Sequence, residues 1–122
     1  MTQESIIVRV ELADRSYDVL VGAGVSKSLG ASLPAGVKRV AVVTQDSIPL
    51  KLSLPVETHT FTIGVGEEHK TLATVERLCS EFARIGLTRN DLVIGVGGGM
   101  VTDVAGFAAA VFHRGLKVMH VA

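Results

Sequence analysis

Two apolar runs, Val40-Ala41-Val42-Val43 and Leu92-Val93-Ile94-Gly95-Val96, constrain this chain more than any other feature. Neither alternates with polar residues, so each predicts a strand covered on both faces, the kind found in parallel sheets whose crossovers carry helices. The surrounding segments fit that pattern. Residues 57 to 63 predict another strand, and residues 67 to 85 place Leu72, Val75, Leu78, Cys79, Phe82 and Ile85 at helical spacing before Gly86, a C′ glycine. Val101 to Phe112 predicts a helix apolar on nearly every side and ended by Gly115, and a last strand begins at Lys117. Upstream, Ile6 to Leu12 and Tyr17 to Val21 flank a turn at Asp14-Arg15-Ser16, which predicts an opening hairpin. Val25 to Leu33 predicts a short helix that Pro34-Ala35-Gly36 punctuates. The fold class is therefore α/β, a parallel sheet with flanking helices and an N-terminal β-hairpin.

The 122 residues give room for one domain. With 48% apolar and 20% charged residues, the composition excludes a disordered chain. Twelve Lys and Arg balance twelve Asp and Glu, so the basic excess that nucleic acid or an anionic membrane surface would need is missing. No apolar run approaches the roughly 20 residues of a membrane span. Met1-Thr2-Gln3-Glu4-Ser5 lacks the basic start and apolar run of a signal peptide, so a cytoplasmic location is expected. Cys79 has no partner cysteine and falls on the apolar stripe of its helix, as a core residue would. His59, His69, His113 and His120 show no metal-ligand spacing, so no metal site is expected within the chain.

The strongest chemical signal is Gly95-Val96-Gly97-Gly98-Gly99-Met100-Val101-Thr102-Asp103, a strand running into bare backbone and then a helix. Three consecutive glycines remove every Cβ, so backbone amides can approach an anion while the helix presents its N-terminal N–H groups and the positive end of its dipole. The dipole contributes about 0.3 to 1 kcal/mol, so several amides must act together to hold a pyrophosphate. The run is neither the dinucleotide fingerprint, because Met100 stands where its third glycine would be, nor a P-loop. The alternative is a tight turn whose glycines only permit close packing. Asp103 reads either as a first-turn acid favoured by the dipole or as a ligand contact.

A second cluster, Val65-Gly66-Glu67-Glu68-His69-Lys70, lies between the end of a strand and the start of a long helix, where a parallel sheet places its ligand loops. Its alternative is a pair of first-turn acids with a solvated lysine. Arg114, before Gly115, could cap helix carbonyls or present a planar fork to a phosphate.

The stretch from Gly97 through Asp103, Gly106-Phe107 and Ala109-Ala110 to Arg114-Gly115 resembles the Gly-Gly-Gly-x-x-x-Asp-x-x-Gly-Phe-x-Ala-Ala-x-x-x-Arg-Gly signature of 3-dehydroquinate synthases. Gly66-Glu67-Glu68-His69-Lys70 resembles that family's Gly-Glu-x-x-Lys motif. The resemblance implies the N-terminal, Rossmann-like NAD-binding domain of a cytoplasmic lyase of the shikimate pathway. It would convert 3-deoxy-arabino-heptulosonate 7-phosphate to 3-dehydroquinate and phosphate, with catalytic NAD and a divalent metal, zinc or cobalt. It also implies cofactor contacts from Gly66, Glu67, Lys70, Gly98, Gly99, Met100, Thr102 and Asp103, a substrate-phosphate contact from Arg114, and a homodimer. Other sugar phosphate cyclases, polyol dehydrogenases and a noncatalytic nucleotide-binding module are the alternatives. Thr102 stands where many members have glycine, and Gln45 follows Thr44 where an aspartate or asparagine is common for the adenosine side. The family's metal ligands and catalytic lysines have no counterpart in residues 1–122, and Val118-Met119-His120-Val121-Ala122 closes inside a strand. The expectation is thus the NAD-binding domain of a longer protein, its C-terminal helical metal-binding domain absent and the piece inactive alone.

Overall fold

The structure, a computed structural model, describes residues 6–10, 17–21, 33–48 and 54–121. Six strands, β1 (Ile6–Val10), β2 (Tyr17–Val21), β3 (Arg39–Thr44), β4 (Glu57–Thr62), β5 (Leu92–Val96) and β6 (Lys117–Val121), form one sheet in the order β1-β2-β6-β5-β3-β4. β1 pairs antiparallel with β2, as the hairpin reading expects, and every other neighbouring pair is parallel. Two α-helices are described, α1 (Leu72–Arg84) between β4 and β5 and α2 (Gly99–Val111) between β5 and β6. Residues 25–32 of the helix expected over Val25 to Leu33, and the turn at residues 14–16, fall outside the described residues.

The period of two along the strands divides the core. Ala41, Val43 and Val93 face α1 and α2 and pack with Leu78, Phe82, Val104, Ala105 and Ala108. Val40, Val42, Leu92, Ile94, Val96, Met119 and Val121 build the opposite layer, with Leu33, Val37, Ile48, Leu54 and Val56 against them. Every residue of β5 is buried, the fully covered strand that its unbroken apolar run predicts. Phe82 anchors the helix layer, with its ring 5.9 Å from that of Phe61 and 5.7 Å from that of Phe112.

Strand order fixes where a ligand can enter. The chain leaves β3 toward β4 at one edge, returns through α1 to β5 on the other side of β3, and continues outward to β6. Loops after β3 and β5 therefore diverge, and an open parallel sheet has its crevice between two such strands at their carboxyl ends. Thr44, last in β3, donates its buried hydroxyl to the Val96 carbonyl at 2.9 Å and ties the two strand ends together.

The helix expected over residues 67–85 is two elements. Glu67–His69 form a separate 3-10 turn, and α1 starts after Thr71, whose hydroxyl accepts from the Thr74 amide at 3.2 Å. Leu72, counted among the apolar positions, is 75% exposed, and Cys79 is half-buried. Gly86 takes the expected C′ position at φ 78°, with its amide to Ala83 and the Leu87 amide to Phe82 closing a Schellman end. α2 starts two residues before the expected Val101. Past its end, a 3-10 turn (Phe112–Arg114) with His113 at φ 48° precedes Gly115.

Candidate functional site at the carboxyl ends of the sheet

β5 ends at Val96, and the backbone turns through Gly97 at φ 148° with its amide donated to the Val121 carbonyl at 2.9 Å. A Cβ on Gly97 would stand 2.9 Å from Val101 Cγ2 and 3.0 Å from Ile48 Cδ1, so close approach and backbone conformation both require glycine here. Gly98 and Gly99 differ: a Cβ on either would meet nothing within 4 Å. The space beside them is open. Gly98 is the N-cap of α2 and has no side chain to bond the first amides, and the Thr102 amide is the first to reach back, to the Gly98 carbonyl. The amides of Gly99, Met100 and Val101 thus have no partner within the helix. Thr102 also turns its hydroxyl inward, 3.3 Å from the Gly98 carbonyl and 3.2 Å from that of Gly99, which stiffens the first turn.

Gly66, at φ 106°, opens the 3-10 turn that carries Glu67. From just after that turn, Lys70 Nζ donates to Asp103 Oδ2 at 3.0 Å and lies 3.8 Å from Glu67 Oε2. The two motifs separated by 33 positions therefore meet in space. Asp103, by hydrogen bond and by charge, holds the Lys70 ammonium above the usual lysine value, and Glu67 adds to it. Beside this pair a cleft of about 450 Å³ is lined by Thr71, Leu72 and Val75 from one side and Val104 and Phe107 from the other.

These positions remove the simpler explanations of the acidic residues. Because α2 begins at Gly99, Asp103 lies in its second turn, and no acid occupies the first turn of either helix. Glu67 and Glu68 belong to the detached 3-10 turn, so neither complements the dipole of α1. Lys70 is engaged with Asp103 rather than solvated alone. Arg114 lies in the 3-10 turn beyond α2, where the Phe112 amide donates to the Ala108 carbonyl and the Leu116 amide to that of Ala109.

Two neighbours of the site make contacts that only the fold reveals. Gln45, directly after β3, donates through Nε2 to the Gly64 carbonyl at 3.2 Å and ties the loops after β3 and β4. Thr71, recognisable as an N-cap only once the helix start is known, fixes the point from which Lys70 reaches across.

The profile of the 3-dehydroquinate synthase N-terminal family matches residues 60–122, which include both motifs. The chain belongs to that family. A putative aminodehydroquinate synthase of Amycolatopsis mediterranei is 48% identical over 93% of this chain and 32% of its own length. A 3-dehydroquinate synthase of Bradyrhizobium sp. is 39% identical over 98% of this chain and 34% of its own. The chain thus spans about a third of the length of the curated relatives it matches.

Among solved structures, a 2-deoxy-scyllo-inosose synthase complexed with carbaglucose-6-phosphate, NAD+ and Co2+ superposes with a TM-score of 0.76 at 26% identity, covering 94% of this chain and 34% of that one. A 2-epi-5-epi-valiolone synthase of Streptomyces hygroscopicus with NAD+ and Zn2+ bound does so with a TM-score of 0.71 at 25% identity, covering 91% and 33%. Fold and family thus agree: the N-terminal sheet of sugar phosphate cyclases. Among the described residues no helix is long and apolar enough to cross a membrane.

Proposed function

We propose that this chain is the NAD-binding domain, residues 1–122, of a 3-dehydroquinate synthase. It would hold the diphosphate of NAD on the amides of Gly98, Gly99 and Met100. The observation that carries the reading is the Lys70–Asp103 contact, which brings two sequence-distant motifs together beside an uncapped helix N-terminus. The residues fit the cofactor: open space over two glycines admits a diphosphate, amides without helical partners supply donors, and the start of α2 supplies favourable field. Lys70 adds a positive charge, and the Asp103 carboxylate can accept from hydroxyl or amide donors of the nicotinamide half. Gly66 gives the 3-10 turn the backbone it needs, Glu67 offers a further acceptor, and Thr102 keeps the first turn of α2 rigid. Bound NAD would supply a reversible hydride acceptor for the substrate carbinol. Arg114 would take the substrate phosphate, across a homodimer interface in the whole protein. Among the described residues no group of His, Cys, Asp and Glu could hold a metal ion, so the zinc or cobalt of the complete reaction is assigned no ligand here.

The alternative substrate is an amino-substituted one, favoured by 48% identity to the putative aminodehydroquinate synthase against 39% to the Bradyrhizobium enzyme. Parallel assays of the full-length protein on 3-deoxy-arabino-heptulosonate 7-phosphate and its amino analogue separate the two.

Calorimetric titration of NAD tests the site itself. Gly99→Asp places a side chain in open space at the first position of a helix, where an acid suits the dipole, so the fold tolerates it. The same carboxylate lies against the diphosphate, and NAD affinity is expected to fall by at least about 100-fold. Wild-type affinity in a folded Gly99→Asp protein overturns the assignment.

A further inference from the structure

Beneath the first turns of α2 sits an imidazole that the cofactor contacts leave unused. His120 on β6 is paired in register with Gly95 on β5. A Cβ at Gly95 would stand 3.3 Å from His120 Nδ1 and 3.0 Å from the Ala105 Cβ, so the missing side chain is what lets ring and helix share the space above the sheet. On the helix side Gly106 borders the ring less tightly: a Cβ there would lie 3.5 Å from His120 Cε1 and 3.6 Å from Nε2, ordinary contact distances. The ring thus fills a slot between two glycines, one on the neighbouring strand and one in α2. Asp103 lies one turn before Gly106 on the same helix, and its charge acts on the ring.

We propose that His120 is a positioning residue for the site, a ring clamped between Gly95 and Gly106 that sets α2 and the Asp103 carboxylate in place beside Lys70. Among the described residues the charged surroundings are few. β5 carries no ionisable residue, β2 sets Val19 opposite His120 and Asp18 opposite Met119, and α2 contributes Asp103, which Lys70 engages. Burial lowers the pKa of the imidazole below the ordinary histidine value, and the Asp103 charge partly restores it. The lowered pKa favours the uncharged ring, which leaves Asp103 to Lys70 and a ligand. On acidification an imidazolium forms and competes for the same carboxylate.

The first arm of the test needs no cofactor. The His120 ring resonance, followed by NMR against pH, should titrate below the free-histidine midpoint in the wild-type protein and lower still in Asp103→Asn. The same midpoint in both proteins overturns the proposal. This arm uses the native ring, so it does not depend on any His120 variant folding. The second arm rests on the NAD reading: affinity should weaken about threefold between pH 8 and pH 5.5, and in His120→Gln the ratio should approach one. An equal ratio in both proteins counts against His120. If the wild-type protein binds no NAD, the cofactor reading falls and the Asp103→Asn shift alone decides the role of His120.

Discussion

Two aspartates at opposite ends of the same parallel strands show how this sheet divides its work. Asp91, at the amino ends of β3 and β5, is 1% exposed and fully engaged. One of its oxygens accepts from the Lys38 and Arg39 amides, each at 3.0 Å, and the other from the Thr88 amide and hydroxyl at 2.9 and 3.2 Å. Asp103, at the carboxyl ends, has a side chain 58% exposed and, among the described residues, one hydrogen-bond donor, the half-exposed ammonium of Lys70. A carboxylate saturated by its own backbone has nothing left to offer a ligand. One held by a single exposed lysine can exchange that partner at little cost. The amino ends secure the fold, and the carboxyl ends remain available.

The largest expected effect falls at the amino end. Asp91→Ala leaves three backbone amides without their acceptor and should lower unfolding stability by about 3 kcal/mol in urea titration. The acid limb sharpens this. Burial raises the Asp91 pKa, but the Thr88, Lys38 and Arg39 amides outweigh it and bring the carboxyl below its ordinary value. Its contribution is therefore present above the unfolded carboxylate pKa of about 3.9 and is lost as pH falls through the lower folded value. Asp91→Asn should flatten that part of the stability profile, and an unchanged profile would detach Asp91 from acid unfolding.

Gly95→Ala, crowding Ala105 and His120, should cost about 1 to 3 kcal/mol, whereas at Gly106 an added methyl meets only ordinary contacts and Gly106→Ala should be neutral or slightly stabilising. Thr71→Ala, which removes the cap of α1, should cost about 1 kcal/mol. Smallest of all in stability is Asp103→Asn, which should leave the melting temperature unchanged while weakening NAD binding about tenfold. If Asp103→Asn destabilised the fold as much as Asp91→Asn, the division between the two ends would fail.

How much of this was legible in the sequence follows the range of the interactions. Strand positions and the parallel class came from local runs such as Leu92–Val96, whose burial needs no distant partner to be recognised. The Gly86 helix end was equally local. Helix starts were less so: the break at Lys70 depends on Thr71 capping a new helix, and helical spacing alone counted the exposed Leu72 among the apolar positions. Asp91 gave no signal because its partners at Lys38 and Arg39 are more than fifty positions away. His120 was hidden for the same reason, since its slot is built from β5 and α2. For the site, the residues could be named from their motifs, but the Lys70–Asp103 contact exists only once α1 and α2 pack on the same face of the sheet.

The most direct measurement is an experimental structure of the protein with NAD. The account predicts the diphosphate within hydrogen-bonding distance of the amides of Gly98, Gly99 and Met100, with Lys70 and Asp103 beside the nicotinamide half. A cofactor seated elsewhere, or a diphosphate kept from those amides, would contradict it.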